Sequence, residues 1–291
     1  MKHTIKIILL VFFLISCQSD SGVLQTLFNF PQDLKEVSAV EMTSKSNLIW
    51  TLEDHGNAPK LYAFDAKGTL LRTVSVAATN NDWEELTSDQ DGNLYIGDFG
   101  NNDNVRKDLC IYKVNVADLE KEEVQPSQQT TFFYPEQTEF PPKTSEKFYD
   151  LEAFFESNGT FYLFTKNRSS ASDGTTLLYT VPNLPGNHAA KKVGSFITCP
   201  DFRSCAVTSA DISPNGKKIA LLSSSHAWIF SDFKKDAFFG GKVQRVDFGD
   251  HSHKEGICFI GNSKLYVTDE RKKKNGGKLY LLDLDQLKSK P

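Results

Sequence analysis

Asp82-Trp83-Glu84-Glu85-Leu86, followed by Asn93-Leu94-Tyr95-Ile96-Gly97-Asp98-Phe99-Gly100-Asn101-Asn102, decides the architecture of this chain. It reads as a short strand, a turn at Ser88-Asp89-Gln90-Asp91-Gly92, a second strand and a polar glycine loop. In such a hairpin the acids entering the first strand and the loop leaving the second lie at the same end. Four more stretches share this pattern. They begin at Glu36-Val37-Ser38-Ala39-Val40, Asp150-Leu151-Glu152-Ala153-Phe154, Thr208-Ser209-Ala210-Asp211-Ile212 and His253-Lys254-Glu255-Gly256-Ile257.

Matched positions 38, 84, 152, 210 and 255 are 46, 68, 58 and 45 residues apart. That is the spacing of four-stranded propeller blades, two of them carrying insertions. Third strands follow at 61–64, 109–112, 177–180, 227–230 and 278–282, and fourth strands at 70–76, 130–134, 191–197 and 242–248. The last repeat has no fourth strand of its own, while Val23 to Phe30 is an unassigned strand at the other end. Pairing the two would close the ring and remove exposed edges. The expectation is an all-β chain, a single β-propeller of five four-stranded blades over residues 23–291. Six blades is the alternative if 115–147 hides a degenerate one. Asp118 to Gln129 reads as a polar surface excursion.

The chain has 291 residues, 39% hydrophobic and 24% charged, which is ordinary for a globular protein. Its start is different. Lys2, His3 and Lys6 precede an apolar run from Ile7 to Ile15, which is too short to span a bilayer but has the size of a signal-peptide core. The run ends in Leu14-Ile15-Ser16-Cys17, which resembles the lipobox of bacterial lipoproteins. The resemblance implies a signal peptide over 1–16, a lipidated Cys17 and a tether over 17–22. It also implies a protein anchored in the cell envelope, at the outer membrane, through acyl chains worth about 0.8 kcal/mol per buried CH₂. Without residues 1–16, 31 basic side chains face 37 acidic ones, a net charge near −6. An exported acidic protein is a poor nucleic-acid binder, so no nucleic-acid partner is expected. An oxidising compartment would permit a disulfide between Cys199 and Cys205, and Cys110 and Cys258 read as buried thiols.

The blade pattern gathers entry acids and second-strand loops around one mouth of the central channel. Converging carboxylates repel unless protonated, paired or bridged by a cation. Calcium, a hard ion with oxygen ligands, is one remedy, with Glu84, Asp98, Glu152 and Glu255 as the metal set. Neutralisation by Lys166, Arg168 and His253 is the other. Asp54, His55, Asn101, Asn102, Lys166, Arg168 and Glu270 are the expected ligand-binding residues. No nucleophilic triad or phosphate-binding loop stands in the sequence.

The stretch Asp82-Trp83-Glu84-Glu85-Leu86, with Tyr95 to Asn102 and Arg106, resembles the DWED…YIGDIGDN…R signature of a group of exported bacterial propeller lipoproteins, mostly without assigned activity. Leu48-Ile49-Trp50-Thr51 with Asp54, Gly56 and Asn57 resembles a second segment of that group. The chain departs from it at Glu53 and His55, and at Ser223-Ser224-Ser225, where an arginine is common. The likeness spans roughly 34–285. A fainter similarity runs to propeller phytases and calcium-dependent propeller lactonases. It implies calcium polarising a phosphoryl or carbonyl oxygen, with Glu84 or Glu152 as catalytic base. Three functions therefore stand: a lipid-anchored propeller binding a cation and a small or polymeric ligand, a calcium-dependent phosphoester or ester hydrolase, and a metal-free module that docks another envelope protein. Whether the protein is an enzyme is left open by the sequence.

Overall fold

A computed structural model describes residues 22–273 and 275–287. The expected signal peptide, Cys17 and all of the tether but Gly22 lie outside the described residues. After β1 (Leu24–Asn29), the first blade contains β2 (Ile49–Thr51), β3 (Lys60–Phe64) and β4 (Leu70–Val76). The second contains β5 (Trp83–Ser88), β6 (Leu94–Asp98), β7 (Cys110–Val114) and, beyond β8 (Glu123–Val124), β9 (Gln128–Phe133). The third is β10 (Asp150–Ser157), β11 (Thr160–Lys166), β12 (Thr175–Pro182) and, after β13 (Gly186–Ala189), β14 (Lys191–Ile197). The fourth is β15 (Val207–Ile212), β16 (Lys218–Ser223), β17 (His226–Ser231) and β18 (Lys242–Asp247). In the fifth, β19 (Lys254–Phe259), β20 (Lys264–Asp269) and β21 (Lys278–Asp283) are completed by β1, antiparallel to β21 with Leu24 opposite Leu282. The chain is thus a five-bladed β-propeller closed by its N-terminal strand.

Inner strands are buried on both faces because neighbouring blades cover them. All of Lys254–Phe259 is buried, whereas the outer strand Lys242–Asp247 buries Val246 alone. One apolar cluster fills each of the five joints between neighbouring blades. The joint between blades two and three is aromatic, with Phe99 edge-on to Phe154 at 5.1 Å. The joint between blades five and one packs Phe28 and Phe30 of the closing segment against Phe64, so ring closure buries apolar surface as well as an edge.

Two expectations are corrected. The inner segment of blade one is not a regular strand over 36–40; Val37 and Glu41 bridge to Glu53 and Trp50, and between them the Thr51 hydroxyl donates to the Ala39 carbonyl at 2.6 Å in place of a ladder bond. The polar excursion after β7 also has a structural task, since β8 within it pairs parallel to β4 of blade one. The same device recurs, because β13 of blade three pairs parallel to β9 of blade two. In blade four the corresponding connection sets Phe238 and Phe239 among the rings of blade three and its own β17. The link between third and fourth strands therefore reaches back to the preceding blade in three successive blades.

Candidate functional site

The side chains at the mouth are aimed by a repeated irregularity. Pairing of each of β5, β10, β15 and β19 with its second strand slips between residues 83 and 85, 151 and 153, 207 and 209, and 254 and 256. Glu84, Glu152, Thr208 and Glu255 are the extra residues, and a β-bulge re-aims the side chain it carries. Blade four thus contributes Thr208, not Ala210. Asp211 lines a cavity at the opposite end of the channel, together with Glu41 and Glu156. Glu85 does not face the mouth; its buried carboxylate crosses to blade four, where it meets the Ser209 hydroxyl and accepts from the Ala210 backbone N–H at 3.3 Å.

Blade three supplies the cations. Glu152 lies 3.0 Å from Lys166 Nζ and 3.0 Å from Arg168 Nη2, and Arg168 Nε is 2.6 Å from Asp150. Arg168 also reaches Asn102 Oδ1 on the loop of blade two. Burial alone would lower the pKa values of both basic groups, but the surrounding carboxylates outweigh it and hold Lys166 and Arg168 firmly charged. Glu152 is therefore a counter-ion with both oxygens engaged, poorly placed to act as a base.

Glu84 is different. Burial, then the charges of Glu152, Asp82 and Asp150, raises its pKa well above the usual carboxylate range, and Asp82 beside it is raised chiefly by burial. A hydrogen bond links the two acids, and burial together with the neighbouring carboxylates favours the protonated form of Glu84. They can sit together because position 100 is glycine; a Cβ there would fall 2.2 Å from Glu84 Oε1 and 2.4 Å from the Asp82 carboxylate.

Blade five carries the third group. His253 Nδ1 lies 2.7 Å from Glu255 Oε1 and 2.9 Å from Glu270 Oε2. Burial opposes the charged imidazole, but hydrogen bonds to the two glutamates push its pKa up to about 10. Asp54, across the joint in blade one, has its pKa raised to about 8 by burial and then by the charges of Glu270, Glu36, Asp82 and Glu255. The mouth is consequently polarised, with cations on blade three and a surplus of carboxyl groups on blades five, one and two.

The distinctive motif of blade two turns out to be a latch. Asp98, fully buried, accepts from Asn81 Nδ2 at 2.9 Å, from the Asp82 backbone N–H at 3.0 Å and from Arg106 Nη2 at 2.9 Å. Arg106 also donates to the Gly100 carbonyl at 2.9 Å. Asn101 donates its backbone N–H to Asp150 at 2.8 Å and accepts from the Arg106 backbone N–H at 2.9 Å, tying blade two to blade three. Asp98 and Asn101 thus hold the loop, and His55 Nδ1 is engaged with the Asn81 carbonyl at 2.6 Å. Of the expected metal set, Asp98 and Glu152 are neutralised by basic side chains, while Glu84 and Glu255 have different immediate partners.

A cavity of about 970 Å³ opens over blades three to five. Lys166, Arg168, Arg203, Lys272 and His251 line it with His253, against the acids Asp201 and Glu270. Its wall is the short helix Phe202–Cys205, capped by Asp201 and bracketed by Cys199 and Cys205, whose sulfurs are 2.07 Å apart in a disulfide. The floor includes Thr208, where the other bulges carry glutamate, so blade four leaves room. Arg203, Phe202, His251 and Lys272 were not singled out from sequence as ligand-facing residues. The pair of cysteines around Pro200–Ser204 was the available signal, since a stapled loop just before an inner strand must lie at the mouth.

No family model matches the chain, and no curated protein sequence matches it. Among solved structures, a catalytically inactive variant of virginiamycin B lyase from Staphylococcus aureus, with quinupristin, superposes with a TM-score of 0.42 at 11% identity, over 85% of this chain and 66% of that one. Hydrazine synthase of Kuenenia stuttgartiensis gives 0.43 at 12% identity, over 88% and 68%. A chain of a nidogen/laminin complex gives 0.46 at 10% identity, over 87% and 78%.

Proposed function

We propose that the protein is a lipid-anchored, exported binding propeller that takes a small anionic ligand, bearing carboxylate or phosphate groups, at the cationic side of its channel mouth. The observation that carries this reading is the lining of the 970 Å³ cavity, where four Lys and Arg side chains converge beside the half-buried ring of Phe202. Cavities of this size suit a small ligand, and Arg forks suit carboxylate and phosphate. Arg203 forms no ion pair with a carboxylate among the described residues, which leaves its guanidinium for a ligand. Anchoring is supported by Leu14 to Cys17; Cys17→Ser should abolish lipidation and leave an uncleaved or a soluble protein, and a variant with both the mass and the detergent partitioning of the wild type would remove the anchor.

The binding reading is tested by calorimetric titration of the chelator-treated protein with inorganic phosphate, citrate and polyphosphate. At least one should bind, and Arg203→Ala and Lys272→Ala should each weaken it. Absence of binding by all three, or indifference to both substitutions, would end this reading. Hydrolysis is a second reading, favoured by the raised pKa of Glu84, which a general acid requires. Binding is preferred because Glu84 is not among the residues lining the cavity.

A further inference from the structure

We propose that His253, Glu255 and Glu270 form a binding site for a divalent transition-metal ion, zinc or manganese, on the acidic side of the same mouth. The proposal rests on this mouth being the ligand-binding face, and the metal would give an anionic ligand a second point of attachment opposite Arg168 and Arg203. One nitrogen and two carboxylate oxygens suit zinc or manganese better than calcium, which takes oxygen ligands.

The geometry is close to what such an ion needs. One ligand atom from each residue lies within 4.8 Å of the other two, with Nδ1 2.7 Å from Glu255 and 2.9 Å from Glu270. A tetrahedral zinc with bonds of about 2.0–2.1 Å sets its ligand atoms about 3.3 Å apart, so the cluster must open by about half an ångström. Binding displaces the proton that Nδ1 shares with the two carboxylates.

The three residues are held by backbone. Glu255 sits on the bulge of β19, and the Glu270 N–H donates to the His253 carbonyl at 2.9 Å just beyond the Lys254–Asp269 pair. Ligands fixed on a ladder need little ordering when the ion arrives. His253 and Glu270 also line the cavity, which gives an ion a way in and a face open to a water or ligand.

The test uses the full chain stripped with a chelator and then equilibrated with zinc, manganese or cobalt in separate samples. One ion per chain is expected to stay bound. His253→Gln and Glu270→Gln should each lower zinc affinity by at least the tenfold or so that loss of an outer-shell partner costs. Because a substitution could disturb folding, the wild-type cobalt complex supplies an independent measurement. Its visible bands should show nitrogen and oxygen ligation without a thiolate charge-transfer band. Failure to retain any ion, zinc binding unchanged in both variants, or a thiolate band pointing to a cysteine would each overturn the proposal. Since no anion is present, its failure is distinguishable from failure of the anion-binding reading.

Discussion

Glu152 Oε2 lies 3.0 Å from Lys166 Nζ, and both side chains are almost wholly removed from solvent. Loss of Glu152 would strand the Lys166 charge, whereas loss of Lys166 would leave Glu152 paired with Arg168. Glu152→Gln should therefore cost about 3–5 kcal/mol, the usual penalty for breaking a buried pair. Replacing both residues with Leu and Met should recover much of that loss. Urea unfolding of the single and double variants checks this. A Glu152→Gln variant more stable than wild type would mean that repulsion among the acids, not pairing, dominates at this mouth.

Asp54 makes stability depend on pH. Its pKa is raised from 3.8 to about 8, so the folded state binds a proton that the unfolded state releases. The stability that this group contributes is full below pH 3.8 and declines as pH rises toward 8. Asp54→Asn, which never ionises, should match wild type below pH 4 and melt progressively higher than wild type up to about pH 8. Parallel melting curves across that range would reveal it, and a constant difference between the proteins would refute the shift.

Gly100 is set by close approach rather than by an unusual backbone. Gly100→Ala should push the Asp82 and Glu84 carboxyls apart, since its Cβ would come within 2.4 Å of both. Overpacking of this kind typically costs about 1–3 kcal/mol. Denaturant titration should show that loss, and a variant as stable as wild type would mean the acid pair can separate freely.

The Cys199–Cys205 bridge closes a short loop, so its entropic contribution is small. By chain entropy, Cys199→Ser with Cys205→Ser should lower stability by about 2 kcal/mol at most. The wall of the cavity should suffer more, because Asp201 to Ser204 lie between the two sulfurs. Hydrogen exchange should show faster opening of residues 201–206 in the variant. Unchanged exchange there would mean packing of the Phe202–Cys205 turn is sufficient.

Blade number and ring closure were legible in the chain itself, because alternation of buried residues and turn residues such as Asp91-Gly92 are local signals repeated at blade spacing. The location of the mouth followed from the same repeats. What the acids do there was decided only by tertiary structure. A β-bulge changes which side chain faces the channel without changing composition, so Thr208 rather than Ala210 is the blade-four partner of Glu84, Glu152 and Glu255. Partner choice was equally hidden, since Arg168 meets Asn102 across 66 positions and Glu85 meets Ser209 across 124. Such contacts depend on distances between remote segments and on removal of water around them. For that reason two carboxylates that look alike in sequence, Glu84 and Glu152, become an acid biased toward its protonated form and a counter-ion.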